Sequence, residues 1–313
     1  MPTDRLDENS RGVFIISVTP FHEDGRLDLD SLDTVLDFYI GQGVHGITLL
    51  GMMGEANKLT DEESAAVVRR GLTRVAGRVP VVVGASNPSL EAMRRLVGIA
   101  MEGGAAGIMV APTPGLRTDD QVHAWTGQVC AAVGADVPLV WQDYPPTTGV
   151  YLSASLFGRL VRDYPQVAML KAEDNPGLGK ITAIREAESG GQRRAAIVVG
   201  NGGLFLPQAL ARGADGIMTG FGFPRMLVEV FDRHTAGDAD GAEDAYDRYL
   251  PLVTYEQQPG FGLAVRKELL HRHGALRSAT VRTPGPRLSD ADRAELDRLL
   301  GRLEARLART ATA

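Results

Sequence analysis

The chain has 313 residues, 44% hydrophobic and 23% charged, with a net charge of −6. That length suits about two domains or one α/β barrel with an addition, the composition is that of an ordinary globular protein, and the acidic balance offers nothing general to nucleic acid or an anionic membrane. Cys130 is the single cysteine, which excludes an internal disulfide and a Cys-rich zinc site; no apolar run reaches the roughly 18 residues of a membrane helix, and the polar, acidic start Met1–Arg11 is unlike a secretory signal, so a cytoplasmic location is expected.

Short apolar runs recur along the chain: Val13–Val18, Gly46–Leu50, Pro80–Gly84, Gly107–Val110, Pro138–Gln142, Val167–Lys171, Ala195–Val199 and Gly216–Thr219. They lack polar alternation, as strands covered on both faces do. Amphipathic stretches such as Leu29–Gln42, Asp61–Ala76 and Ser89–Glu102 lie between them. Gly43–Ile47, Gly104–Ile108 and Gly213–Ile217 share the form Gly-x-x-Gly-Ile. The first glycine suits a left-handed helix end and the second a tight entry into a strand. Eight such units predict a (β/α)8 TIM barrel in the α/β class. A doubly wound open sheet is the alternative, but no Gly-x-Gly-x-x-Gly joins a strand to a helix. After Pro224 the strand pattern stops, and Met226–His234, Ala239–Val253, Gly262–Arg272 and Ser289–Leu307 read as helices. The expected organisation is an extended or frayed segment over 1–11, a barrel over 12–225, a C-terminal helical extension over 226–307 and a tail over 308–313.

The basic residues are unevenly divided. Of 33 lysines and arginines only four are lysine, Lys58, Lys171, Lys180 and Lys267, which leaves 29 arginines. Lys267 reads as part of a solvated helix face, and Lys180, at a helix start, reads the same way. Lys58 follows a Gly-rich loop and could touch a ligand. Lys171 closes the apolar run Val167–Lys171, which puts its amine at the C-terminal mouth of a barrel, where barrel chemistry sits. Partial burial there favours a neutral amine able to attack a carbonyl, a step that an always-protonated arginine cannot perform. A structural ion pair with Glu173 or Asp174 is the alternative.

Three further segments could carry chemistry. Gly51-Met52-Met53-Gly54 follows the second strand, and its backbone N–H groups suit a carboxylate or phosphate; a plain turn with two packing methionines is the alternative. The fifth strand ends in Gln142-Asp143-Tyr144-Pro145-Pro146, where Gln142 and Tyr144 share a face if the strand persists that far. Tyr144 could then relay protons near Lys171, and Gln142 could hydrogen-bond. Gly220-Phe221-Gly222 follows the eighth strand, where many barrels bind phosphate. The six histidines have no metal-ligand spacing, so no metal is expected.

Together these residues are similar to those of the dihydrodipicolinate synthase / N-acetylneuraminate lyase family of class I aldolases. The likeness covers roughly residues 11–305. It rests on Val18-Thr19-Pro20-Phe21 with Asp24-Gly25, on Gly51-x-x-Gly54-Glu55 with Leu59-Thr60, and on Pro145-x-x-Thr148-Gly149-Val150. Leu170-Lys171, Leu206-Pro207 with Gly213–Gly216, Arg266-Lys267-Glu268-Leu269 and Leu288-Ser289-Asp290 complete it. The resemblance implies a barrel with a C-terminal helical extension, a homo-oligomer (tetramer or dimer), and Lys171 as the Schiff-base lysine for a 2-oxo acid such as pyruvate. No cofactor beyond that covalent bond is implied. The chain departs from the family where Met52-Met53 replaces the usual Thr-Thr, where Gln142 falls at the position of the family's tyrosine, and where Thr147 replaces the synthases' arginine.

The expected activity is therefore that of a Schiff-base lyase, aldolase or dehydratase acting on a 2-oxo acid, rather than an authentic dihydrodipicolinate synthase. Lys171 is the expected nucleophile, Tyr144 the proton shuttle and Gln142 an orienting group. Gly51, Met52, Met53, Thr147, Gly200 and Met218 are the expected substrate-binding residues, with the methionines suiting an apolar or aromatic substituent. The rival reading is a catalytically impaired relative that binds a 2-oxo acid as a sensor or partner subunit. A phosphate-binding barrel would rest only on Gly220–Gly222.

Overall fold

A computed structural model describes residues 5–310. The expected ends at 1–4 and 311–313 lie outside the described residues. Eight strands form a closed parallel barrel in chain order: β1 Gly12–Ile16, β2 Gly46–Leu49, β3 Val81–Gly84, β4 Gly107–Val110, β5 Leu139–Asp143, β6 Val167–Ala172, β7 Ala196–Val199 and β8 Gly216–Thr219. Every strand residue is buried, which is why the sequence runs are apolar without alternation. β1 closes the barrel against β8 through the pairs Gly12–Gly216 to Ile15–Thr219.

Local chemistry fixes the helices between the strands. Helix Asp61–Val75 starts at a capping box in which Thr60 and Glu63 satisfy each other's backbone N–H, and Thr118 with Gln121 does the same for helix Asp119–Val133. The helices end where expected: Gly43, Gly104 and Gly213 have φ of +83°, +88° and +91°. At Gly46 the second glycine of the signature has a further job. A Cβ on Gly46 would lie 2.3 Å from the Phe14 ring, so this glycine makes room for a side chain filling the barrel.

Two apolar layers result. Phe14, Ile16, Val82, Met109, Val140, Met169, Val198 and Met218 fill the barrel interior, and a larger layer lies between strands and helices. The interior is closed by Leu6, whose N–H donates to the Ala106 carbonyl at 2.9 Å. Within residues 5–11, Leu6 is buried and the others are exposed or half-buried.

Helix Pro224–Thr235 packs on β1 and completes the eighth β/α unit. Beyond it come helices Ala239–Glu256, Gly262–Arg272 and Asp290–Thr310, the last running past the expected end at 307. Gln257 sits where a side chain on Gly202 would be, and Leu269 does the same at Gly222. These contacts hold the helical addition against the loops after β7 and β8. No helix among the described residues is long and apolar enough to cross a membrane.

Leu6 lies at the open end of the interior layer and is 5% exposed. Leu6→Ala is expected to lower stability by about 2–3 kcal/mol through lost transfer and a residual cavity. Denaturant titration reads the loss; an unchanged midpoint would remove Leu6 from the core.

Candidate active site

Lys171 lies near the end of β6, directly beside Gln142 of β5 in the strand register. Both side chains therefore point to the barrel interior. Lys171 is 2% exposed, and its Nζ lies 2.8 Å from Oε2 of Glu173. Gln142 Nε2 donates to that same oxygen at 2.7 Å. Glu173 extends β6 by its N–H bond to the Asp143 carbonyl, and Asn201 Nδ2 donates to the Glu173 carbonyl. Two residues beyond Lys171 on an extended chain, Glu173 falls on the same face. A Cβ on Gly200 would lie 2.1 Å from the Glu173 carboxylate, so Gly200 is the space that Glu173 occupies.

A cavity of about 810 Å³ opens above this pair, with Met53, Tyr144, Glu173, Asp174, Gly200 and Asn201 among its lining residues. Lys171 sits just behind Glu173. The ion-pair alternative is thus realised with Glu173: a buried ammonium paired with a carboxylate that lines the cavity. Tyr144 shares that cavity, although β5 ends at Asp143 and Tyr144 leads into the short helix Pro145–Thr148. Burial and the Glu173 charge both raise the Tyr144 hydroxyl above its ordinary pKa.

The 51–54 loop is a single helical turn, in which the Gly54 and Glu55 amides bond the Gly51 and Met52 carbonyls. The amides of Met52 and Met53 open the turn, where N–H groups have no partner within it. Met53 lines the cavity, whereas Met52 is 37% exposed and outside its lining. Gly51 lies under the loop, packed toward Ile16 and Met109. Two expected contacts are corrected. Thr147 is exposed on the outer side of the Pro145–Thr148 turn, and the buried member is Thr148, which bonds the Tyr144 carbonyl. Met218 belongs to the sealed interior layer, beside Phe14 in the register, because β8 has only its last residues above that layer.

The lysines hold the principal surprises. Lys267 is fully buried rather than solvated, and donates to Glu55 Oε1 at 2.5 Å and to the Thr19 and Thr280 carbonyls. Burial lowers its pKa to about 8, with Glu55 opposing. Lys58 donates to Glu55 Oε2 and to the Arg282 carbonyl, both at 2.8 Å. Lys180 bridges Asp143 at 2.5 Å and Asp174 at 2.7 Å and is not a surface residue. The Gly220–Gly222 turn is already filled. The Arg266 guanidinium stands where a Gly220 side chain would, and the Gly222 N–H donates to Glu256 at 2.9 Å. The amide that would have held phosphate holds a protein carboxylate.

Sequence reasoning gave Glu173 only the part of an ion-pair partner and missed Glu55 and Asp143. The period-2 relation to Lys171 was the available signal for Glu173. Glu55 had no such signal, since two of its three partners lie 212 and 227 residues away.

The family model for the "Dihydrodipicolinate synthetase family" matches residues 9–303. The L-2-keto-3-deoxyarabonate dehydratase of Azospirillum brasilense is 32% identical over 94% of this chain and 94% of its own length. A 4-hydroxy-tetrahydrodipicolinate synthase of Sorangium cellulosum is 33% identical, covering 94% and 96%. Among solved structures, a dihydrodipicolinate synthase from Rhodopseudomonas palustris superposes with a TM-score of 0.94 at 46% identity, over 96% of this chain and all of that one.

Asp143 offers a pH test of the site's frame. Burial pushes its carboxyl up to about 6, against the pull of Lys180. The folded protein therefore holds this proton more tightly than the unfolded chain, where the pKa is about 3.9. The resulting stabilisation is full below about pH 4 and lost as pH rises through about 6. Relative to Asp143→Asn, the wild type should lose stability across that window with a slope approaching one proton. Melting temperatures of both proteins at several pH values check it; a constant difference would contradict the raised pKa.

Proposed function

The chain belongs to the dihydrodipicolinate synthetase family and is a lyase of the class I aldolase type, and from that premise we propose that it acts on a 2-oxo acid through a Schiff base on Lys171. The observation that carries this reading is the buried Lys171–Glu173 pair, 2.8 Å apart, whose Glu173 lines the cavity. Glu173 Oε2, 2.8 Å from the Lys171 Nζ, is placed to take the proton that the nitrogen gives up as it becomes a nucleophile. The amine adds to the C2 carbonyl. Loss of water then gives an iminium, which draws electrons from C3. A base removes a C3 proton to form an enamine, and the enamine expels a C4 hydroxyl as water with a proton from an acid; alternatively, the iminium drives C3–C4 cleavage. Glu173 is the acid nearest the reacting nitrogen, and Gln142 orients it. Tyr144, on the same cavity wall, is the second proton carrier. The open amides of Met52 and Met53 receive the substrate carboxylate.

Dehydration is favoured over dihydrodipicolinate synthesis by the residues present. Gln142 stands at the position of the family's tyrosine, the usual threonine hydroxyls are methionines, and Thr147, in place of the synthases' arginine, faces outward. The dehydratase relative carries in its name a 2-keto-3-deoxy acid, the type of substrate this sequence of steps consumes. A prophage protein of this family from E. coli K12, 25% identical with a TM-score of 0.85, was solved in complex with pyruvate. No cofactor beyond the covalent lysine, a cytoplasmic location and an assembly of two or four copies belong to the same reading.

Borohydride reduction with pyruvate is expected to leave a covalent adduct on Lys171, located by peptide mass spectrometry and abolished in Lys171→Met. A folded protein that gives no adduct with any 2-oxo acid would defeat the proposal. Glu173→Gln should still be trapped but turn over about 10²–10⁴-fold more slowly, the usual scale for losing a general acid. Tyr144→Phe separates the two proton carriers: a smaller loss than that of Glu173→Gln supports Glu173 as the principal one. The rival reading, a 2-oxo acid binder, predicts thermal stabilisation by pyruvate with neither adduct nor product.

A further inference from the structure

We infer that the cavity recognises a second anionic group, a carboxylate at the far end of the 2-oxo acid, through the ammonium of Lys58. The inference rests on the Schiff-base reading and concerns another wall of the same cavity. Lys58 and Gly285 both line it. The Lys58 side chain is 16% exposed, and two of its three N–H donors are committed, to Glu55 and to the Arg282 carbonyl. One remains. A Cβ on Gly285 would lie 3.2 Å from the Lys58 Nζ, so the missing side chain leaves the ammonium uncovered on that side.

Glu55 has two partners besides Lys58. Its Oε1 already holds the buried Lys267, and its Oε2 accepts the Arg282 N–H at 3.0 Å. Across the whole cluster, Glu55 and Glu63 face Lys58, Lys267 and Arg282, so one positive charge is in surplus. Lys267 is sealed from solvent and Arg282 is engaged with both oxygens of Glu63. The surplus therefore falls on Lys58, the member of the cluster that faces the cavity.

The wall around Lys171 has the opposite balance. Asp143, Glu173 and Asp174 face only Lys171 and Lys180. A second carboxylate on the substrate is repelled there and attracted to Lys58, which orients an extended acid across the cavity. The volume of about 810 Å³ leaves ample room beyond a three-carbon acid. Arg212 also borders the cavity, but it is exposed and bonded to Thr182, so solvent screens it.

The test compares borohydride trapping of the wild type with length-matched acids: 2-oxoglutarate against 2-oxopentanoate, and 2-oxoadipate against 2-oxohexanoate, with pyruvate as reference. Half-saturating concentrations for adduct formation are read by mass spectrometry. At least one diacid is expected to need about tenfold less than its monoacid partner, the scale of one charge-assisted hydrogen bond. In Lys58→Met that ratio should fall to near one. Equal half-saturation in the wild type, with pyruvate still trapped, overturns the inference and leaves the Schiff-base reading standing. A full diacid preference in Lys58→Met overturns the assignment to Lys58. No adduct with any acid overturns both readings.

Discussion

A carboxylate cannot be left alone inside a protein, and Glu55 is nearly fully buried. Removing one partner of such a buried pair typically costs about 3–5 kcal/mol. Glu55 meets that demand with groups from three places: Lys58 from its own loop, Lys267 from helix Gly262–Arg272, and the Arg282 N–H from the segment beyond that helix. The loop after β2 is thereby locked to the helical addition. Lys267 and Arg282 also lie over the Phe21 ring, 4.6 and 4.4 Å from its centroid, which ties in the loop after β1. The upper end of the barrel is held together by charge satisfaction as much as by apolar packing.

A second enclosed pair, Arg266 with Glu256, fastens the same helix to the loop after β8. Between them, the two pairs fix adjacent residues of one helix against the loops after β8 and β2, the strands that flank β1 in the barrel. The 51–54 turn, the Lys171–Glu173 pair and the cavity above them all depend on that frame. The site is accordingly preorganised by interactions that lie outside it.

The barrel was legible because its signals are local. Buried parallel strands need continuous apolar runs, helix ends need glycine at positive φ, and both are written within a few residues, as at Gly43–Ile47. Lys171 was legible for the same reason: it closes such a run. The roles of Lys267 and Lys180 were not, because a lysine in an amphipathic helix looks alike whether it meets water or a distant carboxylate. Their partners arrive from other elements, as Glu55 does for Lys267. The scarcity of lysine was nonetheless informative for the whole set. Each of the four pairs with a carboxylate in a confined place, where a compact ammonium fits and a planar guanidinium demands a wider berth. Thr147 and Met218 failed as site residues because resemblance gives a position in the chain, while orientation is set by the turn at Pro145 and by the layering of the barrel interior.

The cavity is built from two sources under different structural constraints. Its floor comes from strand ends, where each residue is locked into the barrel register. Much of its remaining wall comes from residues 257–263 and 281–286, which belong to no strand and add nothing to barrel closure. Substitutions in those segments can reshape what the floor is offered without disturbing how the floor reacts. A scaffold divided in this way separates what the cavity admits, set by the connectors, from what the strand ends hold in place.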